Sequence, residues 1–301
     1  MSSNKQPSIR AALDLPMQLG ECPIWHAAEA TIYWVDIPGK AVHSLTPASG
    51  AHRSWPMPSE PGAIAFCESG GLLVALRGGL SLLDTGNGRL MPLADAPYDT
   101  GKQRFNDGRC DAAGRLWVGT IHEPRDRPGA TLYRVEHGAL HDVELPATVS
   151  NGLAFSPDNR TIYRSDTTSH TIFAYDFDLG SGKLNAASGR VLRSFSTDRN
   201  NNYGGRPDGA AVDVEGAYWC AMMEGGRLLR LSPTGEILRE ITLPARCPTM
   251  LAFGGPELRT LYVTTASANR SAEELKQYPL SGCLLTLEVD VAGLPEPAYK
   301  L

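Results

Sequence analysis

Short apolar runs recur along the chain, each followed by a polar turn rich in Gly, Pro, Asp or Asn. After the turn comes a second run in which β-branched and aromatic residues alternate with the two-residue period of a strand. Six stretches align on this plan: GECPIWHAAEATIYWVDI from Gly20, PGAIAFCESGGLLVAL from Pro61, NDGRCDAAGRLWVGTI from Asn106, SNGLAFSPDNRTIYRSD from Ser150, PDGAAVDVEGAYWCAM from Pro207 and PTMLAFGGPELRTLYVTT from Pro248. Each reads as a β-hairpin, and in several copies a third run follows, as in HTIFAYDF (His170 to Phe177) and GRLLRLSPTG (Gly226 to Gly235). A sustained 3.6-residue pattern is missing, apart from a weak one at SAEELKQY near Ser271.

Equivalent positions of the six units fall at Glu21, Gly62, Asp107, Asn151, Asp208 and Thr249, roughly 41 to 57 residues apart. Repeats of that length built only of strands predict an all-β fold, a six-bladed β-propeller of four-stranded antiparallel blades around a central channel. The whole chain, residues 1–301, is read as one such domain. The run SGCLLTLEVDVAG near the C-terminus fits two roles, as the outer strand of the last blade or as a partner of N-terminal strands that closes the ring. The longest gap contains the polar segment Asp198 to Gly205, which reads as an insertion beside the site, either a lid or an idle loop.

Propeller symmetry gives the turn residues a second meaning. Innermost strands run parallel around the channel, so the residue that enters each one reaches the same mouth. The six positions bring three carboxylates and an amide there, with Arg104 and Asn106 just upstream in the third unit. Carboxylates gathered in this way repel one another unless a cation or a bound polyol neutralises them, and an oxygen-rich cage suits Ca²⁺, Mg²⁺ or Mn²⁺, with Zn²⁺ also accepting carboxylates. Glu21, Asn151 and Asp208 are the candidate metal ligands. Asp107 is ambiguous, since its side chain and that of neighbouring Asn106 point different ways. Asp111 to Arg115 and Ser156 to Thr161 fall between the two strands of a hairpin and are read as plain turns.

Composition narrows the chemistry. A net charge of −5 with no run of Lys or Arg argues against nucleic acid or an anionic membrane as partner. The N-terminal stretch has no continuous apolar segment, and no stretch approaches a membrane span, which predicts a cytoplasmic protein, monomeric or a small homo-oligomer. Six scattered cysteines without a C-x-x-C pair predict free buried thiols. The seven histidines form no H-E-x-x-H pattern, and no G-x-S-x-G elbow is present, so zincin and α/β-hydrolase chemistries are excluded. Among the histidines only His122 lies near the expected channel loops.

The blade motifs LGECPIWHAAEATIYWVDI, RFNDGRCDAAGRLWVGTI, SNGLAFSPDNRTIYRSDT, RPDGAAVDVEGAYWCA and PTMLAFGGPELRTLYVTTA resemble, in order, those of the senescence-marker-protein, gluconolactonase and regucalcin-like family. The resemblance covers about Gly20 to Gly293 and implies a six-bladed propeller that hydrolyses a sugar lactone with one divalent metal ion. It implies Glu21, Asn151 and Asp208 as ligands, and Arg104 and Asn106 as substrate contacts. Two departures stand out. The usual Gly-Glu-Gly-Pro opening is Gly-Glu-Cys-Pro, which puts Cys22 beside a ligand where it would narrow the mouth, and a glutamate that some members use for substrate has Glu123 in GTIHEPRDRPG as its nearest counterpart.

Lactone opening needs a polarised carbonyl, an activated water and a home for the developing oxyanion. Asp208 is the expected general base; alternatively it only orients an ion-activated water, because a metal-bound carboxylate is a weak base. Arg104 and Asn106 would pin the sugar hydroxyls. Two rivals are an ester or phosphotriester hydrolase on the same scaffold, and a non-catalytic calcium-binding or protein-interaction propeller.

Overall fold

The computed structural model describes residues 6–201 and 203–301. Its strands form six four-stranded antiparallel sheets, each a consecutive up-and-down meander except the last. Innermost strands are Gly20–His26, Pro61–Phe66, Gln103–Cys110, Ser150–Phe155, Arg206–Val212 and Pro248–Gly254, which we number blades 1 to 6. Contacts run from each innermost strand to the next and from blade 6 back to blade 1, so the sheets form a ring. This is the six-bladed propeller that the hydrophobic spacing predicts.

Blade 6 closes that ring. It takes Pro248–Gly254, Thr260–Thr265 and Leu284–Glu288 from the C-terminal part, and its outermost strand is Arg10–Leu13 from the N-terminal part. Of the two roles open to SGCLLTLEVDVAG, pairing with an N-terminal strand is the one realised: Arg10 faces Thr286 and Ala11 faces Leu285. The weak helical stretch is also present, as the helix Ala272–Gln277 capped by the Ser271 side chain, which accepts from the Glu274 amide.

Blade order explains the burial. Second strands such as Thr31–Asp36 and Leu116–His122 are buried on both faces because neighbouring blades pack on each side. Outer strands such as Ile237–Thr242 are largely exposed. Two blades carry the same buried brace: Asp111 accepts hydrogen bonds from Trp117 Nε1 at 2.9 Å and Arg115 Nε at 2.8 Å, and Asp213 accepts from Trp219 Nε1 at 2.8 Å and Arg230 Nε at 2.7 Å. The turns at Asp111 to Arg115 and Ser156 to Thr161 are hairpin turns, as their positions imply.

Residues beyond the last strand pass across the end of the channel. Val214 N–H donates to Ala292 O at 3.0 Å, Tyr299 N–H to Phe66 O at 2.6 Å and Lys300 N–H to Gly114 O at 2.8 Å, tying this tail to blades 5, 2 and 3. Within it, Glu296 pairs with Arg109 at 2.5 Å, and Arg109 also donates to the carbonyls of Leu153 and Ala210. All six cysteines are free and buried.

Candidate active site

A β-bulge interrupts every innermost strand. The register slips between Glu21 and Ile24, Pro61 and Ala63, Phe105 and Gly108, Asn151 and Ala154, Pro207 and Ala210, and Pro248 and Met250. A bulge breaks the alternation of side chains and re-aims one of them, and here it does so at the repeat position singled out by sequence. In blade 4 the bulge uses Gly152 at φ +62°, a conformation that suits glycine, and a Cβ there would lie 2.3 Å from Tyr218 Oη. The Asn-Gly dipeptide is therefore a bulge inside a strand and not a hairpin turn.

The six positions divide by depth. Glu21, Asn151 and Asp208 line one cavity of about 200 Å³ with Arg104, Asn106, Arg125, Thr167, His170 and Arg206. Gly62 and Thr249 serve the scaffold. A Cβ on Gly62 would meet Phe105 O at 2.2 Å, so blade 3 can approach only a glycine, and Thr249 donates to Gly20 O at 2.5 Å across the blade 6 to blade 1 seam. Asp107 lies apart from the cavity lining. Its Oδ2 accepts from the Leu153 amide at 2.7 Å, while Oδ1 is buried without a hydrogen-bond partner among the described residues.

A chain of hydrogen bonds crosses three blades. Arg104 Nη1 donates to Asn106 Oδ1 at 2.9 Å, Asn106 Nδ2 to Asn151 Oδ1 at 2.7 Å, and Asn151 Nδ2 to Asp208 Oδ1 at 2.5 Å and to Thr167 Oγ1 at 2.8 Å. Thr167 in turn donates to Pro207 O at 2.9 Å. Glu21 receives only the backbone amide of Cys22, at 3.2 Å, among the described residues. The Cys22 backbone has φ +46°, and its thiol donates to Ile64 O at 3.5 Å and accepts from the Ile64 amide at 3.3 Å. The expectation that Cys22 narrows the mouth is thus corrected: the turned backbone seats the thiol in the channel wall, outside the cavity lining.

Buried carboxylates set the electrostatics of the site. Burial, then the charges of Asp208 and Asp107, push the Glu21 carboxyl well above its ordinary value. Burial also lifts Asp208 to about 7, with Asp107 adding and Arg206, Arg125 and Arg104 opposing. Asp107 is raised to about 6, again chiefly by burial. Among the described residues no cluster of three or more His, Cys, Asp and Glu side chains gathers to hold a metal. The donor set is instead two carboxylates and an amide, hard oxygen donors of the kind that a hard divalent cation takes, and such a cation would offset the repulsion between Glu21 and Asp208.

Glu123 lies outside the cavity lining. Its carboxylate takes both Arg77 Nη1 and Nη2 at 2.9 Å and stands 3.6 Å from Arg104 Nε. His122 is buried with Nε2 on Asp126 at 2.7 Å and is also outside the lining. Sequence reasoning missed Arg125, Thr167, His170 and Arg206. One signal was available: Arg206 precedes Asp208 by two residues, as Arg104 precedes Asn106. In the segment Asp198 to Gly205, residue 202 lies outside the described residues; Arg199 pairs with Glu224 at 2.9 Å, and the Tyr203 ring packs 5.8 Å from His170.

This architecture agrees with known proteins. The chain is 45% identical over 97% of its length to the 6-deoxy-6-sulfogluconolactonase of Pseudomonas putida, 98% of which is covered. It is 33% identical over 96% of its length to the pentonolactonase XacC of Haloferax volcanii, 97% of which is covered. Its fold superposes with a TM-score of 0.91 on the crystal structure of a calcium-binding protein, regucalcin, from Agrobacterium tumefaciens, at 29% identity and covering 98% of both chains. Residues 19–267 match the SMP-30/Gluconolactonase/LRE-like region, which takes in every innermost strand and all the cavity residues named above, and the chain therefore belongs to that family.

Proposed function

We propose that this lactonase opens a sugar lactone to its aldonic acid with the help of one divalent cation held by Glu21, Asn151 and Asp208. The observation that carries the reading is the pair of buried carboxylates, both pushed up in pKa, set beside an amide and an arginine at a cavity of about 200 Å³. When bound there, Ca²⁺, Mg²⁺, Mn²⁺ or Zn²⁺ would polarise the lactone carbonyl and acidify the attacking water. Asn151 now faces Asp208 with its Nδ2, so offering Oδ1 as a ligand takes a half-turn of the amide.

Hydrolysis adds the water oxygen to the carbonyl carbon, breaks the bond from that carbon to the ring oxygen, and returns one proton to the departing ring oxygen. We assign Asp208 to hold that proton in transit, as the cavity carboxylate whose Oδ1 meets the Asn151 amide at 2.5 Å. Arg104, which lines the cavity, would offer its positive charge to the developing oxyanion, with Glu123 3.6 Å from its Nε. Asn106 holds the Asn151 amide. Glu123 acts in this reading as a positioning residue, through Arg104, and touches no substrate.

Proton release from a panel of aldonolactones, including 6-deoxy-6-sulfogluconolactone, tests the reading on metal-stripped protein with each of the four ions restored singly. Turnover that requires an ion and disappears in Asp208→Asn is expected. Ion-independent turnover would remove the metal from the mechanism, and no turnover with any lactone would favour another hydrolase or a calcium-binding role.

A further inference from the structure

The cavity lining has more guanidiniums than carboxylates. Its lining contains Arg104, Arg125 and Arg206 against the carboxylates of Glu21 and Asp208. The three guanidiniums differ in how they are engaged. Arg104 is buried and tied to Asn106 and to the Phe105 carbonyl. Arg206 has only Glu224 among the described residues, at 3.6 Å, and shares it with Arg199 at 2.9 Å and Arg270 at 3.5 Å. One carboxylate thus serves three guanidiniums, and the buried Arg206 Nε has no hydrogen-bond partner among the described residues.

Arg125 stands in the loop of blade 3, in the part of the lining contributed with Ile121. It is exposed, and among the described residues no carboxylate lies within ion-pair distance of it. The loop is nevertheless held: Arg125 N–H donates to His122 O at 3.0 Å, Asp126 is tied to His122 at 2.7 Å and Glu123 to Arg77 at 2.9 Å. A guanidinium that lines a cavity without an acidic partner among the described residues is a vacant oxyanion fork, because its planar donors match sulfonate or phosphate oxygens. Both arginines line the same cavity as Asp208, so their charge is within reach of whatever fills it.

We propose that Arg125 and Arg206 form an anion-recognition rim, so that the preferred lactone carries a sulfonate or phosphate on its exocyclic carbon, away from the carbonyl. The proposal rests on the lactonase reading and names its specificity-determining residues. The anion stays intact through the reaction, and only the ring ester opens.

The test compares kcat/KM for glucono-1,5-lactone, its 6-phospho derivative and the 6-deoxy-6-sulfo derivative in the wild-type protein, Arg125→Gln, Arg206→Gln and Arg125→Lys. One or both anionic lactones are expected to exceed the neutral one by tenfold or more, and which of them does so identifies the anion. Each Gln variant should cut the anionic-to-neutral ratio by roughly 10- to 100-fold, the value of a lost charge-assisted hydrogen bond. Arg125→Lys should recover part of it, and added salt should erode it. A ratio near one in the wild type, or a ratio unmoved by Arg125→Gln, overturns the rim while leaving a lactonase. If none of the three lactones is hydrolysed, the lactonase reading fails, and calorimetry with gluconate and 6-phosphogluconate still decides the rim: equal affinities overturn it, and a preference lost in Arg125→Gln supports it.

Discussion

Replacing Asp208 with asparagine should cripple turnover and, in the metal-stripped protein at alkaline pH, stabilise the fold. In the folded chain burial holds the Asp208 proton up to about pH 7, whereas the ordinary carboxyl value is 3.8. Between those values the folded state binds more protons than the unfolded one, so stability falls as pH rises through the window and the full penalty is present above it. About three pH units at 1.36 kcal/mol each give an upper figure of about 4 kcal/mol at pH 8. Relief of the repulsion on Glu21, which the Asp208 charge helps to raise, acts in the same direction. The substituted asparagine keeps an oxygen for the Asn151 amide and carries no charge, so it removes the penalty with little change of shape. At no more than about 2 to 4 °C per kcal/mol for a chain of 301 residues, the variant should melt several degrees higher than wild type at pH 8 in chelator, with the gap closing near pH 4. Added Ca²⁺ should narrow the gap, because the wild type gains the larger binding term, about 2.7 kcal/mol at a hundred times its Kd against an upper figure of about 4 kcal/mol. Calorimetric melting at the two pH values, with and without the ion, reads all of this. A variant less stable than wild type at pH 8, or a gain of equal size at pH 4, would refute the claim that Asp208 is held against its charge.

Four further outcomes follow from the same geometry. Glu21→Gln removes one of two carboxylates from the cage and should weaken divalent-ion binding by at least about tenfold in titration calorimetry, with turnover falling in parallel. Asp111→Ala strips Arg115 and Trp117 of a fully buried acceptor and should cost about 3–5 kcal/mol in denaturant unfolding, with activity per folded molecule retained. Glu123→Gln loosens Arg104 from its outer side and should raise KM more than it lowers kcat in steady-state kinetics. A thiol reagent should find none of the six cysteines in the native protein and all six after unfolding, as each is buried.

Sequence alone determined the architecture and the identity of the central carboxylates and amide. Period-two runs cannot bury themselves singly, so six similar hairpins at regular spacing have to stack as blades, and the ring then forces their entry positions together. Glu21, Asn151 and Asp208 were legible because they recur at one slot of a repeat. That slot is also where each strand bulges, which no local pattern signals. Tertiary structure decided the rest. The ring is closed by Arg10–Leu13 against Leu284–Glu288, a pairing between the two ends of the chain that depends on where the other blades bring them. The same holds for Glu123, whose carboxylate goes to Arg77 from a neighbouring blade, for the Cys22 thiol turned by a positive φ, and for Arg125 and Arg206, which line one cavity from blades 3 and 5. Those contacts join residues tens of positions apart through side chains whose direction is set by bulges and loops. Hydrophobic period is a property of neighbours along the chain, while charge convergence is a property of neighbours in space, and only the folded ring converts one into the other.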